Sequence, residues 1–278
     1  MKYLSVCSGI EAATVAWHSL GWNPIAFSDI EPFPSAVLAH HYPHVPNLGD
    51  MTQFEEWNLE PIDLLVGGTP CQSFSVAGLR KGLADPRGNL MLTYLAIAQR
   101  HRPRWLVWEN VPGVLSSNRG RDFGTFLGAL GELGYGFAYR VLDAFYFGCA
   151  VPRARVFVIG NSGGLQQSAA ILFEQQNIEN SDKRSRKAPR PHTLSVQNAG
   201  SRNARGNIIC DGKVWRGMSP VETERALGFP DNYTNIPWRK SAESPDGPRY
   251  KALGNSMAVP VMRWIGERIN RVDNDPLA

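Results

Sequence analysis

Over residues 1–160, short apolar runs alternate with longer amphipathic stretches, and that alternation leaves few folds open. Tyr3 to Val6 precedes a helical pattern from Glu11 to Leu20, and Pro24 to Phe27 precedes another from Phe33 to His41. Asp63 to Val66 is followed, after a long glycine-containing loop, by a helical Leu90 to His101, and Trp105 to Trp108 by a helical Phe123 to Leu133. Strand and helix repeated in this way predict βαβ units, hence an α/β fold with a mostly parallel sheet. Gly136 to Phe147 and Arg155 to Ile159 read as two strands with no helix between them, which suits an antiparallel pair at a sheet edge. Further on, Ser219 opens a capped helix, and Val261, Ile265 and Ile269 are spaced to face a core from a last helix over Val259 to Val272.

The 278 residues suffice for one full core plus a smaller module. Apolar and charged fractions of 43% and 19% exclude disorder and coiled coil. No run approaches the roughly 20 apolar residues of a membrane helix, and the expected location is the cytoplasm. The four cysteines lie more than 60 residues apart along the chain, so no CxxC pair seeds a metal site, and none is expected. Charge is uneven. Asn161 to Trp215 holds eight basic residues, among them Lys183, Arg184, Arg202 and Arg205, against four acidic ones, while the rest of the chain balances. Charge alone leaves two readings, a polyanion-facing module or a solvated insertion.

Ligands of a parallel sheet bind beyond the carboxyl ends of its strands. After the first strand comes the small-residue turn Cys7-Ser8-Gly9-Ile10-Glu11, and after the second Asp29, twenty residues beyond Gly9, the spacing at which an acid accepts from ribose hydroxyls. Asp50 follows Gly49. The turn lacks the further glycines that admit a pyrophosphate, and Glu11 would repel one, which favours a nucleoside without phosphates. Beyond another strand, Pro70 sets Cys71 on a loop, where it reads as a nucleophile or as a small buried hydrophobe. Glu109 ends a Trp-rich strand, where it reads as an acid of raised pKa or as a capping or salt-bridged carboxylate.

These residues together resemble the cytosine-C5 DNA methyltransferases of bacterial or phage type. The resemblance rests on Cys-Ser-Gly at 7–9, Asp29, Gly49-Asp50, Gly68-Thr-Pro-Cys-Gln, Glu109-Asn-Val, Arg153-x-Arg155, Glu224-Arg-x-Leu-Gly-Phe-Pro and Leu253-Gly-Asn-Ser, in family order. It covers nearly the whole chain except the basic insertion. It implies a Rossmann-like methyltransferase domain over 1–160 with 250–278, and a small target-recognition domain over 161–249. It also implies S-adenosylmethionine as cofactor, duplex DNA as partner, a cytosine flipped out of the helix, and a monomer.

By resemblance, Cys71 adds to C6 of the base, Glu109 contacts N3 and the 4-amino group, and Arg155 contacts O2, with Arg153 beside it. Asp29 holds the ribose, Ile30 faces the adenine, Asp50 and Met51 contact it, and Asn255 and Ser256 take the methionine end. Cys7, Ser8, Gly9, Ile10, Glu11, Pro70 and Leu90 complete the cofactor pocket. Residues 72–90, with Gln72, Ser75 and Arg87, form a loop closing over DNA. Lys183, Arg184, Arg202, Arg205 and Arg216 reach phosphates or guanine edges. So short a recognition region implies a target of a few base pairs.

The family has an aromatic residue at Cys7, a glycine at Glu11 and a glutamine at Val151, so this chain departs there. A relative acting on transfer RNA would carry Cys-Phe-Thr in the recognition region, and none occurs. A non-catalytic DNA-binding relative is opposed by the joint presence of Cys71, Glu109, Arg153 and Arg155. A nicotinamide oxidoreductase is opposed by the missing glycines.

Overall fold

The computed structural model describes residues 1–70, 89–173, 208–211 and 214–274, without the side chains of 208–215. Its main sheet comprises β1 (Lys2–Val6), β2 (Asn23–Ser28), β3 (Leu64–Gly67), β4 (Trp105–Asn110), β5 (Gly136–Asp143) and β6 (Ala154–Asn161). The strand order is β2-β1-β3-β4-β6-β5. The first four run parallel, β6 is antiparallel to β4, and β5 is antiparallel to β6. The edge pair read from the sequence is therefore present.

β4 is buried at all six positions, as a strand covered on both faces must be. One core lies against α1 (Ala12–Trp17) and α8 (Val259–Asn274), where Trp17, Val107, Ile159, Val261, Ile265 and Ile269 pack together. The other lies against α3 (Leu90–His101) and α4 (Arg121–Glu132), around Leu65, Leu95, Trp108 and Phe126. Fully burying an aromatic side chain such as Trp17 or Trp108 contributes about 4–6 kcal/mol of transfer free energy. α2 (Pro32–His41), α5 (Leu165–Leu172), α6 (Pro220–Leu227) and α7 (Asp246–Asn255) complete the helices, and β7 (Ile208–Asp211) pairs with β8 (Val214–Gly217) as a separate hairpin.

Several boundaries differ from the sequence reading for local reasons. α1 stops at Trp17 and a 3-10 turn covers His18–Leu20. β5 stops at Asp143, whose carboxylate accepts from the Phe145 and Arg153 N–H groups at 3.1 and 2.8 Å and bends the chain into a 3-10 turn. α5 was not anticipated in the polar region after Gly160. Leu227, Phe229, Tyr233 and Ile236, which lie before residue 249, belong to the same core as α1 and α8. Their motif explains this. Glu224 is fully buried and accepts from the Asn232 and Thr234 N–H groups, each at 2.8 Å, from the Thr234 hydroxyl and from Arg249 at 3.1 Å, folding the chain after α6 onto the main body. Among the described residues, no helix is long and apolar enough to cross a membrane, and no group of three or more His, Cys, Asp or Glu residues gathers as a metal site.

Candidate active site

The carboxyl ends of β1 to β4 open into a cleft of about 900 Å³. One part of it is lined by Cys7, Gly9, Asp29, Ile30, Asp50, Met51, Pro70, Leu90 and Asn255, all of which the sequence had singled out. Asp29 accepts the Gly9 N–H at 2.7 Å and the Glu31 N–H at 2.8 Å, which ties the turn after β1 to the end of β2. Burial raises its pKa. Ile30 is 69% exposed, an apolar side chain offered to the cleft. Asp50 caps the following 3-10 turn by accepting from the Thr52 N–H at 2.9 Å. The Cys7 thiol contacts the Met51 sulfur at 3.4 Å, and burial, with Asp29 and Asp50 nearby, pushes its pKa up to about 12. It stays protonated.

Two residues expected at the cofactor, Ile10 and Glu11, do not line the larger cleft. Ile10 is fully buried in the core rather than in the cleft, and its carbonyl accepts from the Tyr233 hydroxyl at 2.9 Å. Glu11 adopts left-handed backbone, φ 60°, the region where glycine is unstrained. Its carboxylate turns inward, capping α1 through the Thr14 N–H at 3.2 Å and accepting from the Thr14 and Ser5 hydroxyls. Burial pushes its pKa up to about 7 against those hydrogen bonds. Ser8, Glu11 and Ser256 border a smaller cavity of about 30 Å³. The Ser8 hydroxyl donates to the Ser5 carbonyl at 2.9 Å.

The other part of the cleft is built from β3, β4 and β6. Glu109, at the end of β4, is buried, and its Oε1 lies 3.0 Å from Arg155 Nε on β6. Burial raises the pKa of Glu109, opposed by the Arg155 and Arg153 guanidinium groups. Gly68 is small because Glu109 is close: a Cβ there would sit 3.0 Å from Glu109 Oε2 and 3.2 Å from Met257 Cε. Arg153 lines the cleft, but its guanidinium donates to the carbonyls of Gly254 and Ser256 at 3.0 and 2.6 Å. It braces the loop after α7 from within the cleft.

Sequence reasoning missed the anchors of Thr69, two residues before Cys71 in the sequence. Trp108 Nε1 donates to Thr69 Oγ1 at 3.0 Å, and Asn110 Nδ2 donates to the Thr69 carbonyl at 2.8 Å. The middle residue of Glu109-Asn-Val was the available signal. Also missed were Glu31 and Lys251, paired at 2.7 Å, and Trp238 and Arg239, all lining the cleft. Arg216, expected at DNA, is exposed on β8 and makes two 2.8 Å bonds to Glu222. Cys71, Gln72, Ser75, Arg87, Lys183, Arg184, Arg202 and Arg205 lie outside the described residues.

Comparison with known proteins follows the same lines. A protein of Escherichia phage P1 named DNA N-6-adenine-methyltransferase is 31% identical over 460 aligned positions, covering 97% of this chain and 61% of the phage protein. The chain thus spans less than two thirds of that relative. The type II methyltransferase M2.BsuMI of Bacillus subtilis is 29% identical, covering 98% of this chain and 76% of its own length. Among solved structures, S. pombe Dnmt2 methyltransferase matches with a TM-score of 0.67 at 17% identity, over 98% of this chain and 99% of that one. An E. coli prophage putative DNA modification methyltransferase matches at 0.67 and 16%, over 99% and 100%. Both support the methyltransferase fold. The family model described as C-5 cytosine-specific DNA methylase matches residues 1–192 and 173–271, and with the site above this chain belongs to that family.

Proposed function

We propose that the protein transfers a methyl group from S-adenosylmethionine to C5 of a cytosine flipped out of duplex DNA. The observation that carries this reading is the buried Glu109–Arg155 pair at the end of β4, in one cleft with the nucleoside-type pocket of Asp29, Ile30 and Asp50. The cleft fits the cofactor: about 900 Å³ lies in the range of small-molecule sites, with acidic groups for hydroxyls and an exposed apolar side chain for a base. When bound, S-adenosylmethionine supplies an electrophilic methyl on a sulfonium. Asp29 orients the ribose, Ile30 and Met51 flank the adenine, and Asn255 sits toward the methionine end.

Cys71 follows the anchored Thr69-Pro70 segment, and its thiolate adds to C6 of the cytosine, making C5 nucleophilic. Glu109, kept protonated more readily by burial, donates to N3 and so stabilises the charge that addition places on the ring. Arg155 holds that carboxyl in position and reaches toward O2. After methylation a base removes the C5 proton, and the Cys71 sulfur leaves as the ring regains its double bond. Relatives named type II methyltransferases support a role in marking DNA, and the short recognition region supports a target of a few base pairs. We expect a monomer acting in the cytoplasm.

The test is a competition assay with labelled cofactor, offering duplex DNA and transfer RNA separately. The reading expects label in duplex DNA alone. Label in transfer RNA alone would overturn it.

A further inference from the structure

The residues Trp238–Ser241 form a tight turn on the cleft rim, outside the basic region that sequence analysis had associated with DNA. It is closed by two backbone bonds, Trp238 N–H to the Ser241 carbonyl at 3.0 Å and Ser241 N–H to the Trp238 carbonyl at 3.1 Å. Trp238 anchors it by packing edge-on against Phe33, ring centroids 5.2 Å apart. Arg239, at the tip, lines the cleft, and its guanidinium lies 5.6 Å from the Trp238 ring centroid. It holds a left-handed backbone, φ 55°, which costs a non-glycine residue energy and persists only where its surroundings enforce it. Lys240 beside it is exposed.

Arg216, Arg225 and Lys251 each face a carboxylate, Glu222, Asp231 and Glu31 respectively. Among the described residues neither Arg239 nor Lys240 forms an ion pair. Other described cations, Arg119, Arg121 and Arg263 among them, also lack an ion pair; what sets these two apart is that they are adjacent, unneutralised and carried on the rim of the cleft that Arg239 lines. The cofactor offers one carboxylate against a sulfonium and an ammonium, so it does not call for two adjacent cations. A nucleic-acid backbone does, because each phosphate contacted by Lys or Arg releases condensed counterions.

We propose that Arg239 and Lys240 are a phosphate clamp that holds the duplex backbone at the mouth of the cleft. The clamp rests on the DNA reading above. It positions the duplex without reading bases, since phosphate contacts fix register and carry no sequence information.

The experiment measures duplex binding by the full chain over a salt series, for the wild type, for Arg239→Ala with Lys240→Ala, and for the charge-preserving Arg239→Lys with Lys240→Arg. The alanine pair is expected to flatten the slope of log K against log salt by about two, equally on duplexes of different sequence. The charge-preserving pair is expected to keep the slope, and cofactor affinity is expected to be unchanged in both. Should the alanine pair fold poorly, the same slopes are read with Gln at both positions. An unchanged slope in the neutral variants overturns the clamp. So does a loss of cofactor affinity with the slope intact, which would assign the turn to the cofactor carboxylate. Failure of the DNA reading is distinguishable, because it shows in the wild type alone as absent methylation of duplex DNA.

Discussion

Arg155 Nε on β6 lies 3.0 Å from Glu109 Oε1 on β4, joining two antiparallel neighbours where the sheet opens into the cleft. Both side chains are largely buried, so neither charge is cheap to leave alone. The pair gives Glu109 a fixed orientation while burial keeps its proton affinity high.

Replacing Glu109 with Gln keeps the shape and removes the ionisable proton. Methyl transfer should fall by about 10²–10⁴-fold, the usual worth of a positioned general acid. Cofactor affinity in the absence of DNA should hold, since Glu109 lies beyond the ribose and adenine contacts. Single-turnover rates with equilibrium dialysis check both.

Arg155→Met leaves the Glu109 carboxylate without its partner. Stability should drop by about 1–3 kcal/mol at neutral pH. The Glu109 pKa should rise further, because the opposing guanidinium is gone. Its protonated form then persists to higher pH, and the stability deficit of the variant should shrink as pH falls. Urea unfolding at several pH values reads this out.

Gly68→Ala tests the close approach of Glu109 to the loop. The new Cβ would sit 3.0 Å from Glu109 Oε2, so the carboxyl has to shift. Activity should fall sharply with a stability cost of about 1–3 kcal/mol. A variant as active as the wild type would show that Glu109 need not be held there.

Glu11 makes a pH prediction. Its folded pKa, about 7, is raised by burial above the ordinary carboxylate value of 4.5, so its contribution to stability is fully present below the unfolded value and is lost as pH rises through the folded one. Wild type should therefore lose up to about 3 kcal/mol relative to Glu11→Gln between pH 4.5 and pH 7. Thermal unfolding of the two proteins across that range is the check, and parallel curves would contradict the assignment.

Local patterns carried most of the fold. Leu90 to His101 has the helical bounds expected from its periodicity, because Asn89 caps it and Arg102 ends it in left-handed backbone. α5 escaped notice because it is short, begins after two glycines and carries Gln166 and Gln167 in its first turn. The inward turn of Ile10 and Glu11 was illegible for a related reason. Spacing locates the turn after β1, but which side chains point to the cleft depends on φ 48° at Cys7 and φ 60° at Glu11, strained backbone dictated by packing. The service of Arg153 to the carbonyls of Gly254 and Ser256 spans about a hundred residues and has no local signature. The same holds for Tyr233 and Ile10.

The most direct test follows labelled methyl from S-adenosylmethionine into duplex DNA with wild type and Cys71→Ser, and digests the product to nucleosides. The account predicts label in 5-methylcytosine from the wild type and none from the serine variant. Label in N6-methyladenine, the product suggested by the name of the phage P1 relative, or undiminished 5-methylcytosine from Cys71→Ser, would contradict it.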